Sequence, residues 1–224
     1  MALNFGGSMF QGGEALANYD YTDIAAGTGI EEFYAGISSG ANMLSNVKFY
    51  SDKVFTLALG SGAATFVQAV SGAFNVTMNL PRIIGGLSVV NIPFGMWTTS
   101  TAHTFSFYTV AEVVRVSDGA ATSLVSGAGR IQALPFTAAD NKHGMNAIVL
   151  DIPRTKFKKG DVLRLNAQLW EAKTAGTAST YYVWMGHDPM NRASTDEELA
   201  QAANRTFGTD PSILTFQVPF KLDI

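Results

Sequence analysis

Few side chains in this sequence could do chemistry, and the three histidines are the first to consider. His103 begins a predicted strand, His143 lies in a polar loop, and His187 precedes Asp188 in a compact segment that ends at Arg192. An imidazole beside a carboxylate could ligate a metal ion or act as base and acid. The same segment is typical of a turn in which Asp188 accepts hydrogen bonds from backbone amides and pairs with Arg192. We favour the turn.

Other metal and cofactor signatures do not occur in the sequence. A metal site needs three or four suitable ligands, and no His-rich or calcium-loop motif is present. A metal-dependent sandwich of cupin type would require the three histidines to converge. The chain has no cysteine and no phosphate-binding loop. We therefore predict no catalytic residue, no cofactor and no metal, and we expect that the chain is not an enzyme.

The tryptophans are candidates for binding. Trp170 shares the polar-facing register of its predicted strand with Arg164, Asn166 and Gln168. An outward tryptophan on a sheet indicates either a sugar-stacking platform or a protein interface. We favour the interface because the whole chain carries little charge.

Charge is sparse and unevenly placed in the 224 residues. Lys and Arg number 15 and Asp and Glu 18, which gives a net charge of −3 and argues against a polyanion-binding protein. Between Val54 and Ala111 the only charged residue is Arg82. Glycine and polar residues interrupt that span, so we do not expect a transmembrane helix. The first residues include no basic or apolar leader region, and we expect no secretory signal.

Residues 1–40 differ from the remainder in composition. They contain eight glycines among aromatic residues, and no helix or strand period persists in them. Glycine disfavours a helix, whereas a solvated tail has few aromatics. We predict an extended N-terminal arm over residues 1–40 that is buried against a partner or against its own chain, followed by a single domain over residues 41–224.

The domain is predicted to be all-β. Apolar residues alternate with polar ones from Leu163 to Leu169 and again from Leu214 to Ile224, as in strands with one buried face. Pro219 predicts that the last strand lies at a sheet edge or has a bulge there. Gly160 predicts a turn before the Leu163 strand. One short helix is predicted near 195–204 from a capping box. The pattern favours an antiparallel β-sandwich, expected to be a jelly roll.

Two groups of segments resemble virion proteins of tailed bacteriophages. Residues 19–29 and 33–36 are similar to the N-terminal region of such proteins, and residues 157–165 and 186–189 are similar to their later part. The resemblance is to capsid decoration, or cement, proteins and covers roughly a fifth of the chain. It implies a jelly-roll domain that assembles as a homotrimer on the major capsid protein, at the virion surface, after synthesis in the host cytoplasm.

The leading functional hypothesis is accordingly a viral structural protein that binds and stabilises the capsid lattice, without nucleic acid or membrane as a partner. The predicted capsid or subunit interface consists of Phe5, Phe10, Tyr19, Tyr21, Phe33 and Trp170. Interface cores are depleted of charge and enriched in aromatics, as this chain is. The alternative is a carbohydrate- or receptor-binding module of a phage tail or fibre.

Overall fold

The computed structural model describes residues 17–18, 28–98, 103–136, 140–175, 181–192 and 212–221. They form strands and connecting turns, which confirms the all-β prediction. The strands are Ala17–Asn18 (β1), Thr28–Ser38 (β2), Ala41–Ser45 (β3), Phe55–Leu59 (β4), Val67–Thr77 (β5), Arg82–Thr98 (β6), His103–Ser117 (β7), Ala120–Ala128 (β8), Gln132–Phe136 (β9), Asp140–Phe157 (β10), Val162–Ala175 (β11), Tyr181–Gly186 (β12) and Thr215–Lys221 (β13).

No helix occurs among these residues, and none could therefore cross a membrane within the described part of the chain. The helix predicted near 195–204 lies outside the described residues. The described part of the low-charge span from Val54 to Ala111 contains strands β4, β5 and β6 and the first part of β7.

The strands join in one sheet with the order β4-β12-β6-β13-β2-β3-β5-β11-β7-β8. Strand β1 pairs with β2, β10 with β6, and β9 with β7. Neighbours are antiparallel except for β3 and β5, which meet in parallel at Met43 and Asn75. The sheet is therefore mixed rather than purely antiparallel, which corrects the prediction on that point.

Side chains from the two halves of this strand order pack against each other to form the core. The rings of Phe105 on β7 and Tyr181 on β12 have centroids 4.5 Å apart. Those of Phe94 on β6 and Phe107 on β7 are 5.9 Å apart. The alternation predicted for β11 is confirmed, because Leu163, Leu165, Ala167 and Leu169 are all fully buried.

Strand β13 lies in the interior of the sheet between β2 and β6, so the edge position suggested by Pro219 is wrong. The bulge is confirmed. Pairing with β6 shifts register between Gln217 and Phe220, which is where proline cannot donate a backbone hydrogen bond. The predicted turn before β11 is also confirmed, with Gly160 at a φ of 91°.

Strand β2 falls within the range predicted as an N-terminal arm. It pairs with β3 on one side and β13 on the other, so residues 28–38 are an interior part of the sheet. Alternate side chains of β2 face the core, and Phe33 and Ala35 are buried there. This register also turns Glu31 towards the core side.

Candidate functional site

A buried carboxylate on the core-facing side of β2 is the centre of the candidate site. Glu31 shares its face with Phe33 and is only 3% exposed, whereas its neighbour Ile30 on the opposite face is 49% exposed. An ionised carboxylate is costly to bury unless it is paired and hydrogen-bonded. The sequence places one there nevertheless, which suggests a role other than packing.

Two side chains from other elements bind this carboxylate. The Arg82 guanidinium, at the start of β6, donates from Nη1 to Glu31 Oε2 at 2.6 Å. Asn46, just after β3, donates from Nδ2 to Glu31 Oε1 at 3.2 Å. Arg82 also lies over the Phe220 ring, 5.7 Å from its centroid. The pair is thus held between β2, β6 and β13.

The Glu31–Arg82 pair lines a cavity of about 310 Å³. Strand β3 and the residue after it form one wall, and the end of β5 with the turn after it forms another. The lining combines an apolar floor with amide and hydroxyl groups: Phe33, Met43, Leu44, Ser45, Asn46, Asn75, Val76, Thr77, Met78 and Asn79. Such a mixture can fix the orientation of a small polar molecule.

Burial raises the pKa of Glu31 above its ordinary value, while the charge of Arg82 and the hydrogen bonds from Arg82 and Asn46 act against this rise. The carboxyl therefore takes up a proton at a higher pH than an exposed glutamate does. A carboxyl of this kind can accept or donate a proton in a pocket.

The segment around His187 has the structure of a turn, as favoured from the sequence. Asp188 Oδ2 accepts hydrogen bonds from the Arg192 backbone amide at 2.8 Å and from Arg192 Nε at 3.0 Å. His187 is fully buried, and its Nε2 lies 2.9 Å from Thr56 Oγ1. Burial lowers the pKa of His187 to about 4. Asp188 is thus occupied in holding the turn, and the imidazole is neutral at ordinary pH.

The histidines do not supply a metal centre in the described part of the chain. His143 is exposed on β10, whereas His187 is buried after β12. No group of three or more His, Asp or Glu side chains gathers among the described residues.

The residues predicted for an interface have different environments. Phe33 is 3% exposed and belongs to the core. Trp170 is half-buried, stacked on Tyr108 with centroids 5.8 Å apart, and donates to Gln168. Phe5, Phe10, Tyr19 and Tyr21 lie outside the described residues. An interface role for these side chains stays a prediction.

Sequence reasoning missed Glu31 and singled out Arg82 only as an isolated charge. Two signals were available. Glu31 has the same parity as Phe33 and Ala35, so a strand that buries those two must also bury Glu31. Arg82 is the only charged residue in a long span, so a carboxylate from another part of the chain is expected to pair with it. The glycines around β2 obscured the strand period.

No protein-family model matches the chain, and no curated protein matches it. Among solved structures, it is similar to an α-amino acid ester hydrolase, with 9% identity over 85% of this chain and 36% of that chain and a TM-score of 0.50. A CocE/NonD family hydrolase from Staphylococcus aureus is 11% identical over 87% of this chain and 37% of its own, with a TM-score of 0.46. At these identities the likeness is one of fold.

A weaker likeness connects the chain to viral capsid proteins. The VP2 subviral particle of infectious bursal disease virus gives 9% identity, 84% coverage of this chain, 45% coverage of its own and a TM-score of 0.27. The resemblance to tailed-phage decoration proteins is not confirmed. The chain spans only 36 to 37% of the length of the two hydrolases above.

These comparisons contradict the expectation of a capsid decoration or cement protein, and they equally contradict the expectation that the chain is not an enzyme. A hydrolase, not a capsid protein, shares the fold at a TM-score of 0.50. The alternative, a carbohydrate- or receptor-binding module of a phage tail or fibre, was predicted from the outward register of Trp170 and is overturned by the same comparison. The aromatic content does not require an interface, because many of the aromatic side chains are buried within the chain itself. The predicted homotrimer and virion location remain predictions.

Proposed function

We propose that this chain is a β domain of a hydrolase-type protein and that it binds a small polar molecule in the Glu31 cavity. The observation that carries this proposal is the ion pair between buried Glu31 and partly buried Arg82, which stands in the wall of a cavity where apolar side chains could pack instead. A buried ion pair is often no more stabilising than well-packed hydrophobic residues. Its presence at a cavity supports a binding role.

The size and lining of the cavity support a small ligand. A volume of about 310 Å³ is at the lower end of the roughly 300–1,000 Å³ found for ligand sites. The charged pair and Asn46 supply directional hydrogen-bonding groups at one end, and Met43 and Met78 supply apolar contact. A molecule with one polar end and a short apolar body would satisfy both.

Ester hydrolysis in the same cavity is a second candidate, favoured by the raised pKa of Glu31 beside the Arg82 guanidinium. A carboxylate can activate water as a base, and a guanidinium can stabilise a developing oxyanion. Hydrolysis of p-nitrophenyl acetate by the chain, abolished in Glu31→Gln and retained in Glu32→Gln, would support it. Equal rates in both variants would exclude Glu31 as the base.

We also propose that the sheet closes on itself as a β-sandwich, of the jelly-roll type predicted from the sequence. The contacts between Phe105 and Tyr181 and between Phe94 and Phe107 support this, because each joins strands that are far apart in the sheet order. Inner faces that pack in this way are typical of two layers around one core.

A blocked cavity tests the binding function. In Thr77→Trp an exposed lining residue on β5 is enlarged, whereas Thr122→Trp places the same side chain on exposed β8, away from the cavity. Ligand-observed NMR with a mixture of small hydroxy acids, amides and amines should detect binding to the wild type and to Thr122→Trp and not to Thr77→Trp. Binding that persists unchanged in Thr77→Trp would refute the proposal.

A further inference from the structure

We infer that the ligand of the Glu31 cavity carries a carboxylate and that Glu31 takes up a proton when this ligand binds. The inference rests on the proposed binding function and specifies its ligand class. It follows from which groups can donate hydrogen bonds in the cavity, and in which protonation state they can do so.

The cavity contains the donors that a carboxylate requires. Arg82 Nη1 and Asn46 Nδ2 both donate, and at present both bind the Glu31 carboxylate. If Glu31 is protonated, its carboxyl no longer attracts Arg82 as an anion and gains a hydroxyl that donates. A ligand carboxylate can then accept from Arg82, from Asn46 and from Glu31 itself. Charge-assisted bonds of this type are the stronger class.

An amine is a poorer candidate for the same position. It would have to approach Glu31 against the guanidinium of Arg82, which lies 2.6 Å from Glu31 Oε2. Two like charges within a partly enclosed, low-dielectric cavity repel each other more strongly than they do in water. A neutral amide could bind, but it would form no ion pair with Arg82 and would not favour the protonated form of Glu31. We therefore expect it to bind more weakly than a carboxylate.

The remaining surroundings do not supply a competing titratable group among the described lining residues. Strands β3 and β5 present thioether, hydroxyl and amide groups to the cavity. Arg164 on β11 donates to Asn75, and Asp161, whose backbone bonds Met78, is paired with Arg115. Lys221 on β13 is exposed. Protonation within the cavity therefore concerns Glu31.

Three probes of similar size and different charge test the inference: lactate, lactamide and 1-amino-2-propanol. Their binding to the wild type is measured by NMR titration between pH 5 and pH 8. Lactate should bind best, and its affinity should fall about tenfold for each pH unit above the point where free Glu31 ionises, because one proton is taken up per ligand. Calorimetry in buffers of different ionisation enthalpy should show an uptake approaching one proton.

Two matched variants separate the role of Glu31 from its neighbourhood. Glu31→Gln keeps a hydrogen-bonding side chain without a titrating group, so lactate should bind with little pH dependence. Glu32→Gln alters the next residue, which faces away from the core and bonds Tyr34, and should retain the wild-type pH dependence. Thermal unfolding of both variants verifies that they are folded.

The outcomes distinguish this inference from the proposed function. Lactamide binding as tightly as lactate, or lactate affinity that is independent of pH in the wild type, would overturn the inference while leaving a ligand-binding cavity. Preference for 1-amino-2-propanol would overturn it in the same way. The proposed function itself would fail on a different result. None of the three probes would bind, and the wider mixture would show no binding in NMR that is present in the wild type and lost in Thr77→Trp.

Discussion

At the scale of single residues, the placement of charge is the most informative feature of this chain. Arg82 is the only charged residue between Val54 and Ala111, and it pairs with a glutamate that faces the core. Removing Arg82 alone would leave the buried charge of Glu31 without its counterion, which is costly. A chain that keeps such a pair beside a cavity maintains a charged site among uncharged polar and apolar side chains. This is why the ligand proposal centres on these two side chains.

His187 should make the protein less stable in mild acid. Burial, the largest influence, lowers its pKa from 6.5 to about 4, and Asp188 opposes this. Between these values the unfolded chain binds a proton that the native state does not, so stability is complete above pH 6.5 and falls as the pH drops towards 4. The difference corresponds to about 3 kcal/mol. Urea unfolding at pH 7, 5.5 and 4 measures it.

The control for this effect is His187→Asn, which cannot titrate in the same range. Its unfolding free energy should be lower than that of the wild type at pH 7, since a buried ring is lost, yet should decline less between pH 6.5 and 4. If the wild type and His187→Asn lost stability equally over this interval, the buried histidine would not be the cause.

At the scale of elements, the sequence was sufficient wherever a strand alternates without interruption. The period from Leu163 to Leu169 predicted β11, and that from Leu214 predicted β13. The position of β13 could not be derived, because alternation specifies which face is buried and not which strands are neighbours. Strand β2 was missed because glycines interrupt its period and because Glu31 puts a charge in its core-facing register, where the alternation requires an apolar residue.

A glycine in β6 leaves the space that the Trp184 indole of β12 occupies. A Cβ added at Gly95 would lie 2.1 Å from Cζ2 of Trp184, whose ring is fully buried and packs against Phe55. Gly95→Ala should therefore force the indole to move and destabilise the protein by about 1–3 kcal/mol. Chemical denaturation monitored by tryptophan fluorescence measures the loss.

A second substitution identifies the cause. Combining Gly95→Ala with Trp184→Leu should cost less than the sum of the two single changes, because the smaller side chain vacates the space that the methyl group needs. Ser126→Ala on the exposed part of β8 should stay within about 0.5 kcal/mol of the wild type. Strict additivity of the Gly95 and Trp184 changes would contradict this explanation.

At the scale of the whole molecule, the sheet order brings the two ends of the described chain together. Strand β2 pairs with β13 from Tyr34 opposite Thr215 to Thr28 opposite Lys221. The division into residues 1–40 and residues 41–224, predicted from composition, therefore cuts between paired interior strands. Composition could indicate that the first 40 residues differ, but it carries no information on long-range pairing.

Removal of residues 212–224 should prevent folding. Strand β13 lies between β2 and β6, so its loss would expose two strand edges. It would also remove four buried apolar side chains from the core: Leu214, Phe216, Val218 and Phe220. At about 1.5–3 kcal/mol for each side chain, this loss is comparable with the entire stability of a typical domain, about 5–15 kcal/mol.

Circular dichroism during heating tests this expectation. The chain that ends at residue 211 should show no cooperative transition, whereas a control that ends at Lys221 retains all of β13 and should unfold cooperatively near the temperature of the full chain. A synthetic peptide of residues 212–224 should restore a transition to the shorter chain, since the strand it supplies pairs on both sides. A cooperative transition of the shorter chain without the peptide would contradict this expectation. It would show that β2 and β6 fold without β13 and that this strand is not required for the stability of the sheet.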